Sequence, residues 1–397
     1  MPEGRNRGAK KFDLLLHGDL WDAEHGRRSD RWVGVADGDI VTISTDRPGD
    51  AAVVYEAALF TPGLVDMHVH LVWDGSDDPV ATLHTESEQD LVVRAVETAR
   101  AQLAGGVTTV RDVGSVDDVA ITVARAIRAG RIPGPRVLAS GRTVIITDGH
   151  DPFWGRESDG PDECRRAVRE LRGAGADLIK VSATGGVYGQ AVGEDPGVAE
   201  LSRAELDAIV DEAHRFGLPV AAHAVGTEGI RNAVEAGVDT IEHGNLMDDA
   251  TLGSLVDAGL AYDPTLFVYR EIATSDDVPP YARANAEGVA ERHWEVFEAA
   301  LAADARVIAG SDAGSPGTPH PSLHRELGCL VDGGMTESEA LTAATLTAAT
   351  ELGVPELGVV EDGTSADVVG FAADPLADIT ETGRPSVVVK DGAVVPR

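Results

Sequence analysis

Lysine is almost missing from this chain: four occur in 397 residues, at Lys10, Lys11, Lys180 and Lys390. Basic charge of any kind is scarce, with 33 Lys and Arg against 67 Asp and Glu and a formal net charge of −34. Such a surface repels phosphates, which excludes nucleic acid and anionic membranes as partners. It also suits a protein that works at high salt, where a Debye length of about 3 Å at 1 M screens self-repulsion. The two cysteines, Cys164 and Cys329, lie far apart and lack CxxC spacing, so they read as idle buried thiols rather than a disulfide or metal ligands. No run of about 18 apolar residues is available for a membrane span, and the opening MPEGRNRGAK has no apolar stretch behind its charges. A soluble, cytoplasmic protein without a signal peptide is the expectation. Also missing are a GxSxG elbow, a Walker P-loop and a GxGxxG after a strand, so no serine nucleophile or nucleotide cradle is indicated.

What the chain has in quantity is glycine, 45 residues, placed with a rhythm. In QLAGGVTTVRDV, LRGAGADLIKVSA, HRFGLPVAAHA, VEAGVDTIEHG and VDAGLAYDPTL, an amphipathic helix ends at Gly and an apolar strand follows. Glycine there suits the left-handed position after a helix; ADARVIAGSDAG follows the pattern without it. The helix leading into the first passage runs from about Ser87, its N-cap, to Ala104, with an apolar stripe of Val92, Val93, Val96, Ala99 and Leu103. The strands are LVDMHVHL, VTTVRDV, PRVLASG, DLIKVSA, LPVAAHA, DTIEHG, LAYDPTL and RVIAGSD. Eight strands alternating with helices predict an α/β fold, a (β/α)8 TIM-like barrel. Residues 1–60 and 353–397 are β-rich, with Asp-Gly turns, and are expected to pair into a small β-sandwich from both chain ends, leaving 61–352 as the barrel. Long loops after strands three (141–162), four (184–200) and seven (270–285) are expected to wall the catalytic face.

The chemistry-bearing residues fall at strand ends. His68 and His70 are two apart on a strand, so both imidazoles face the same side. His223, His243 and Asp312 each close their own strand, where barrel enzymes keep catalytic groups. Lys180 lies inside the apolar strand ADLIKVSA, where a lone ammonium is costly. Three readings compete for it: an ion pair, a Schiff-base nucleophile, or a lysine carboxylated by CO2 that bridges two metals. Four histidines and an aspartate on strands one, five, six and eight favour the third, because a carbamate adds the negative oxygens two dications need.

With these residues in view, the chain resembles the amidohydrolase superfamily, in particular its imidazolonepropionase-like and binuclear Xaa-Pro dipeptidase branch. The resemblance spans the chain through TPGLVDMHVHL, GVTTVRDVG, DLIKVSATGGV, AAHAVGTEGI, GVDTIEHG, GSDAGSPGTPH and ADVVGFAADPLADI. It implies two divalent metals, one held by His68, His70 and Asp312, the other by His223 and His243, with carboxylated Lys180 as the bridge. Zinc is the metal implied, although manganese, cobalt or iron suit the same donors. Metals about 3.5–4 Å apart would share a water of lowered pKa, and Asp312 would accept its proton and deliver it to a leaving nitrogen.

The resemblance makes the chain a hydrolase of a carbon–nitrogen bond, with an Xaa-Pro-like dipeptide or an N-acyl amino acid as the expected substrate. The alternative is a cyclic amide such as an imidazolone or lactam, a carbamate or an ester. A non-catalytic barrel kept for assembly would have lost ligands, and all six are present. His150 matches a substrate-contacting histidine of relatives and is expected to touch the carbonyl or oxyanion. Tyr188, Tyr269 and His320 are further candidates for the pocket. Val225 departs from the histidine or tyrosine that many dipeptidase-like relatives place against a substrate carboxylate, which favours a less charged amide. The partner is a small molecule or short peptide; homo-oligomer formation is left open by the composition.

Overall fold

The computed structural model describes residues 11–189 and 194–396. Part of the expected loop 184–200 therefore lies outside the described residues, as does the start of the segment 1–60. Four strands open the chain: Lys11–Asp22 (β1), Gly26–Ala36 (β2), Asp39–Ser44 (β3) and Asp50–Pro62 (β4). The turn between β2 and β3 is Asp37-Gly38, both at positive φ (54° and 93°), the backbone that matches strand twist in a two-residue hairpin.

Ten short strands follow: Leu64–Val69 (β5), Val107–Asp112 (β6), Arg136–Ala139 (β7), Thr143–Ile145 (β8), Gly155–Glu157 (β9), Ile179–Ser182 (β10), Val220–Ala224 (β11), Thr240–His243 (β12), Ala261–Asp263 (β13) and Arg306–Val307 (β14). Three close the chain: Val368–Phe371 (β15), Pro385–Lys390 (β16) and Ala393–Val394 (β17).

The chain ends build one seven-stranded sheet in the order β17-β16-β15-β4-β1-β2-β3. Its junction is the antiparallel pairing of β15 with β4, Gly370 opposite Phe60. At the far edge, Ile40 donates its N–H to the Thr364 carbonyl at 2.9 Å and accepts from Gly363 at 2.7 Å. The edge strand is thereby tied to the segment that enters β15, and the sheet folds over a core of Leu14, Leu16, Val33, Phe60, Val368 and Val389.

The middle of the chain forms two parallel sheets, β5-β6-β7 and β14-β13-β12-β11-β10-β8-β9. Parallel pairing keeps every C-terminal strand end on one side, which is where the candidate residues were expected. The sheets are joined by Asp177 donating to the Ala139 carbonyl (2.9 Å), Met67 to Ala309 (3.0 Å) and Asp312 to His68 (2.8 Å). Predicted strand three is broken at 140–142: β7 pairs with β6, while β8 pairs with β10 through Val144 and Val181. The stretch 141–162 is thus only partly loop, because β8 and β9 lie within it. The expected loop 270–285 is likewise corrected. Helices Leu266–Thr274 and Pro280–Ala302 occupy most of it and leave 275–279 between them, because their apolar residues Phe267, Ile272, Ala282, Ala286 and Val289 have a core to face.

Helix Glu88–Ala104 has the expected N-cap, with Ser87 and Asp90 forming a reciprocal capping box. Its buried stripe is Leu91, Ala95, Ala99 and Leu103 rather than the one starting at Val92, and Val93 is 57% exposed. Spacing of four from Leu91 keeps one face on the sheet. Three helices end on left-handed glycines, Gly175, Gly237 and Gly259. In the passage without glycine, Asp304 itself takes φ 55°. Cys164 and Cys329 are free and buried. Among the described residues no helix is long and apolar enough to cross a membrane.

Candidate active site

Five histidines, Lys180 and Asp312 meet in a cleft of about 480 Å³ at the C-terminal strand ends. His68 leaves β5 toward the cleft and His70 follows just beyond it, their ring centroids 5.3 Å apart. Asp312 Oδ1 lies 3.7 Å from His68 Nε2 and 3.3 Å from His70 Nε2. His243 lies 5.0 Å from His68 and 4.7 Å from His223, centroid to centroid, and His150 stacks on His223 at 4.2 Å. His243 and Asp312 sit at φ 71° and 54°, a left-handed backbone rare outside glycine that turns each chain sharply at the cleft.

Each imidazole of this group is anchored by one nitrogen. His68 Nδ1 donates to Glu242 Oε2 at 2.9 Å, His70 Nδ1 to the Gly114 carbonyl at 3.1 Å, and His243 Nδ1 meets Thr265 Oγ1 at 2.7 Å. His223 is held the other way round, Nε2 donating to the Gly185 carbonyl at 3.1 Å. A proton fixed on the anchored nitrogen leaves a lone pair on the other, which is how proteins orient imidazoles toward a cation. Lys180 is 3% exposed and its Nζ has no hydrogen-bond partner among the described residues. An unsatisfied buried amine among imidazoles with one nitrogen tied back and a carboxylate fits a cation-binding set in which the amine is modified. His68, His243 and Asp312 place ligand atoms within 4.8 Å of one another.

The electrostatics agree with that donor set at three of its four imidazoles; at His70 burial pulls the imidazolium down, yet the Asp312 hydrogen bond and charge hold it above the usual range. Burial lowers His223 and His243 well below the usual imidazole range and His68 to about 4, so these rings are neutral donors at neutral pH. Burial also lowers Lys180, favouring the free amine, the form that adds CO2. Burial alone would raise Asp312, but the neighbouring His68 and His70 hold it well below the usual carboxylate range. His150 differs: burial pulls its imidazolium down, yet Asp151 and Glu194 hold it up at about 9.

The cleft walls are Trp73, Val187, Tyr188, Val268, Tyr269 and Ile272, with Asp151, Ser315 and Pro316. Tyr188 and Tyr269 thus line the cleft. The Tyr188 hydroxyl donates to Asp78 Oδ1 at 2.6 Å and accepts from the Val80 N–H at 2.9 Å, and Tyr269 packs edge-on against His243. Val225 and His320 do not line the cleft. Val225 is fully buried in the core, its backbone held by Thr184 Oγ1 and Leu246. His320 is engaged by Gln102 at 2.9 Å and the His70 carbonyl at 3.3 Å, a support for the His70 backbone.

Several site residues escaped sequence reasoning. Glu242, which fixes His68, is itself gripped by Arg111 Nη2 at 2.8 Å to both oxygens, and Arg111 also donates to Thr240 Oγ1 at 3.0 Å. The signal was present as charges inside the apolar strands VTTVRDV and DTIEHG. His293 Nε2 donates to the His243 carbonyl at 2.9 Å and supports that strained turn. Trp154, stacked on His70 at 4.8 Å, and Asp151 carried no sequence signal.

A model of the Amidohydrolase family matches residues 59–395. Ochratoxinase of Aspergillus niger is 31% identical over 371 residues, 84% of this chain and 74% of that enzyme. Among solved structures, a Xaa-Pro dipeptidase with methionine bound in its active site superposes with a TM-score of 0.88 at 30% identity, covering 96% of this chain and 99% of the other. A prolidase complexed with N-methylphosphonate-L-proline gives 0.87 at 28% identity, covering 97% and 99%.

Proposed function

We propose, from the premise that this chain belongs to the amidohydrolase family and is a hydrolase acting on carbon–nitrogen bonds, that it hydrolyses the amide bond of a dipeptide or N-acyl amino acid at a binuclear metal centre. His68, His70 and Asp312 would hold one cation and His223 and His243 the other, with Lys180 as a carbamate between them. When bound, the two cations, zinc by preference, supply an activated water and polarise the scissile carbonyl. The residues of the chain do the rest. Asp312, ionised at neutral pH, takes a proton from the attacking water and releases it to the leaving nitrogen as the C–N bond breaks and the new C–O bond forms. His150, protonated and stacked on His223, offers positive charge to the oxygen that becomes negative in the transition state. Trp73, Val187, Tyr188, Val268, Tyr269 and Ile272 exclude water and suit an apolar side chain.

The observation that carries this reading is the buried Lys180 amine without a hydrogen-bond partner, among imidazoles whose other nitrogens are tied back. On the same reading the parallel strands close into a (β/α)8 barrel over 61–352, with 1–60 and 353–397 as its β-sandwich. The joining hydrogen bonds from Met67, Asp177 and Asp312 support this. The enzyme acts in the cytoplasm on a small molecule or short peptide.

Hydrolysis of a cyclic amide, carbamate or ester is the second reading. It is favoured by the cleft lining: among the described residues there, none is arginine and the sole lysine is Lys180, so no guanidinium awaits a carboxylate. The test is a hydrolysis screen of metal-loaded protein across dipeptides, N-acyl amino acids, lactams and esters, with metal measured in the same sample. Turnover of dipeptides or N-acyl amino acids with about two metals per chain supports the first reading. The same metal content with turnover only of lactams or esters selects the second.

A further inference from the structure

The loop after β8 carries a charge that the proposed hydrolysis leaves unused. Asp151 lines the cleft, is 9% exposed and sits at φ 58°, a strained backbone that turns its side chain in beside His150. Its Oδ2 lies 3.3 Å from His150 Nε2, while Oδ1 is buried and accepts no hydrogen bond from the described residues. His150 is not Asp151's alone. Its Nδ1 donates to Glu194, and its backbone N–H donates to Glu200 Oε2 at 2.9 Å. Three carboxylates therefore converge on His150, two at its ring and one at its backbone N–H, and Asp151 Oδ1 is left without a donor among the described residues. The His150 ring meets only Oδ2, and a buried carboxylate oxygen without a donor is costly until one completes it.

The neighbouring backbone is cut away to admit these side chains. A Cβ at Gly186 would fall 2.2 Å from His150 Cε1, and one at Gly189, at φ 134°, would fall 2.6 Å from Asp151 Oδ1. The position is also informative. His150 separates Asp151 from His223 by a single stacked ring, so a substrate cation that reaches Asp151 must lie close to the scissile carbonyl. Across the cleft the walls Trp73, Val187, Val268 and Ile272 are aromatic and aliphatic, and the other carboxylate among the described lining residues, Asp312, is taken up by His68 and His70.

We propose that Asp151 is a specificity-determining residue that pairs with a cationic amino group on the carbon next to the scissile carbonyl, so that the substrate is an aminoacyl amide with a free amino terminus rather than an N-acylated one. This rests on the amide hydrolysis proposed above and narrows its substrate class. It assigns the acyl half of the substrate to the Asp151 side of the cleft. The leaving amine then falls on the apolar side formed by Val268, Tyr269 and Ile272.

The test compares alanyl-proline with propanoyl-proline, which differ in the amino group alone, on metal-loaded wild-type protein and on Asp151→Asn. Wild type is expected to favour the free amine by at least about tenfold in kcat/KM. Asp151→Asn should collapse that ratio, mainly through KM for alanyl-proline, with metal content unchanged. Equal turnover of the two substrates by wild type overturns the assignment and leaves amide hydrolysis standing, and needs no variant to fold. A ratio unaltered in a folded, metal-replete Asp151→Asn protein does the same. If wild type cleaves neither these nor any other amide of the screen, the reading of amide hydrolysis fails and this inference goes with it.

Discussion

Four of the five imidazoles in the cleft differ from histidines elsewhere in the chain in how each second nitrogen is spent. His17 and His214 reach exposed carboxylates, Asp30 and Asp239, and remain ordinary surface groups. His68, His70, His223 and His243 are anchored by a buried carboxylate, two carbonyls and a threonine hydroxyl, which sets tautomer and aim together. Lys180 has no such anchor among the described residues, which supports the carbamate proposed for it. Replacing Lys180 by Ala should lower metal content below that of wild type and cut turnover by at least about 100-fold. Acetate or formate should restore part of both by standing in for the carbamate. Unaided wild-type activity in a metal-loaded Lys180→Ala protein would remove Lys180 from the site. The histidines and Lys180 were legible in sequence because strand alternation and strand ends restrict where such residues point. Glu242 and Arg111 were harder, since an ion pair between separate strands depends on which strands lie close enough.

At the scale of the element, helix Leu266–Thr274 is the instructive case. Thr265 precedes it in a left-handed conformation and provides no side-chain cap. The cap comes from another helix: Glu326, on Leu323–Asp332, accepts from the Leu266 N–H at 2.9 Å and the Phe267 N–H at 2.7 Å. Burial pushes the Glu326 carboxyl up to about 8 even though both amides favour its ionised form. Since the folded value exceeds the ordinary 4.5, the native state keeps a proton that the unfolded chain has released. That contribution to stability is full below 4.5 and is lost as pH rises through about 8. The thermal midpoint should therefore decline between about pH 5 and about pH 9, and Glu326→Gln should flatten the decline. Parallel curves for the two proteins would show that Glu326 does not titrate in this range. Glycine signals marked where helices stop, whereas a cap borrowed from a residue 60 positions away left no local trace. This is why 270–285 reads as loop in sequence and is largely helix in the fold.

For the whole molecule the dominant quantity is the net charge of −34. At 0.1 M salt the Debye length of about 10 Å lets surface carboxylates repel one another across the fold, and at 1 M it shrinks to about 3 Å. The thermal midpoint should rise as potassium chloride increases from about 0.1 M to about 2 M. A flat or falling midpoint would mean that the acidic surface is already balanced by local pairs such as Arg203 with Asp207 and Glu235. The two β-rich chain ends were recognisable from their Asp-Gly turns. That they share one sheet through β15 and β4 is a long-range pairing between residues more than 300 positions apart.

By itself the sequence determined the alternation of strand and helix, the residues at the strand ends and the anomalous lysine among them, because these follow from periodicity, capping and the cost of burying charge. Tertiary structure alone decided which nitrogen of each histidine is free, that Val225 and His320 stand behind the cleft rather than in it, and that Asp151 enters it with an unpaired oxygen. Those outcomes depend on distances between segments remote in the chain, and backbone turns such as those at Asp151, His243 and Asp312 aim side chains in directions that no local pattern encodes.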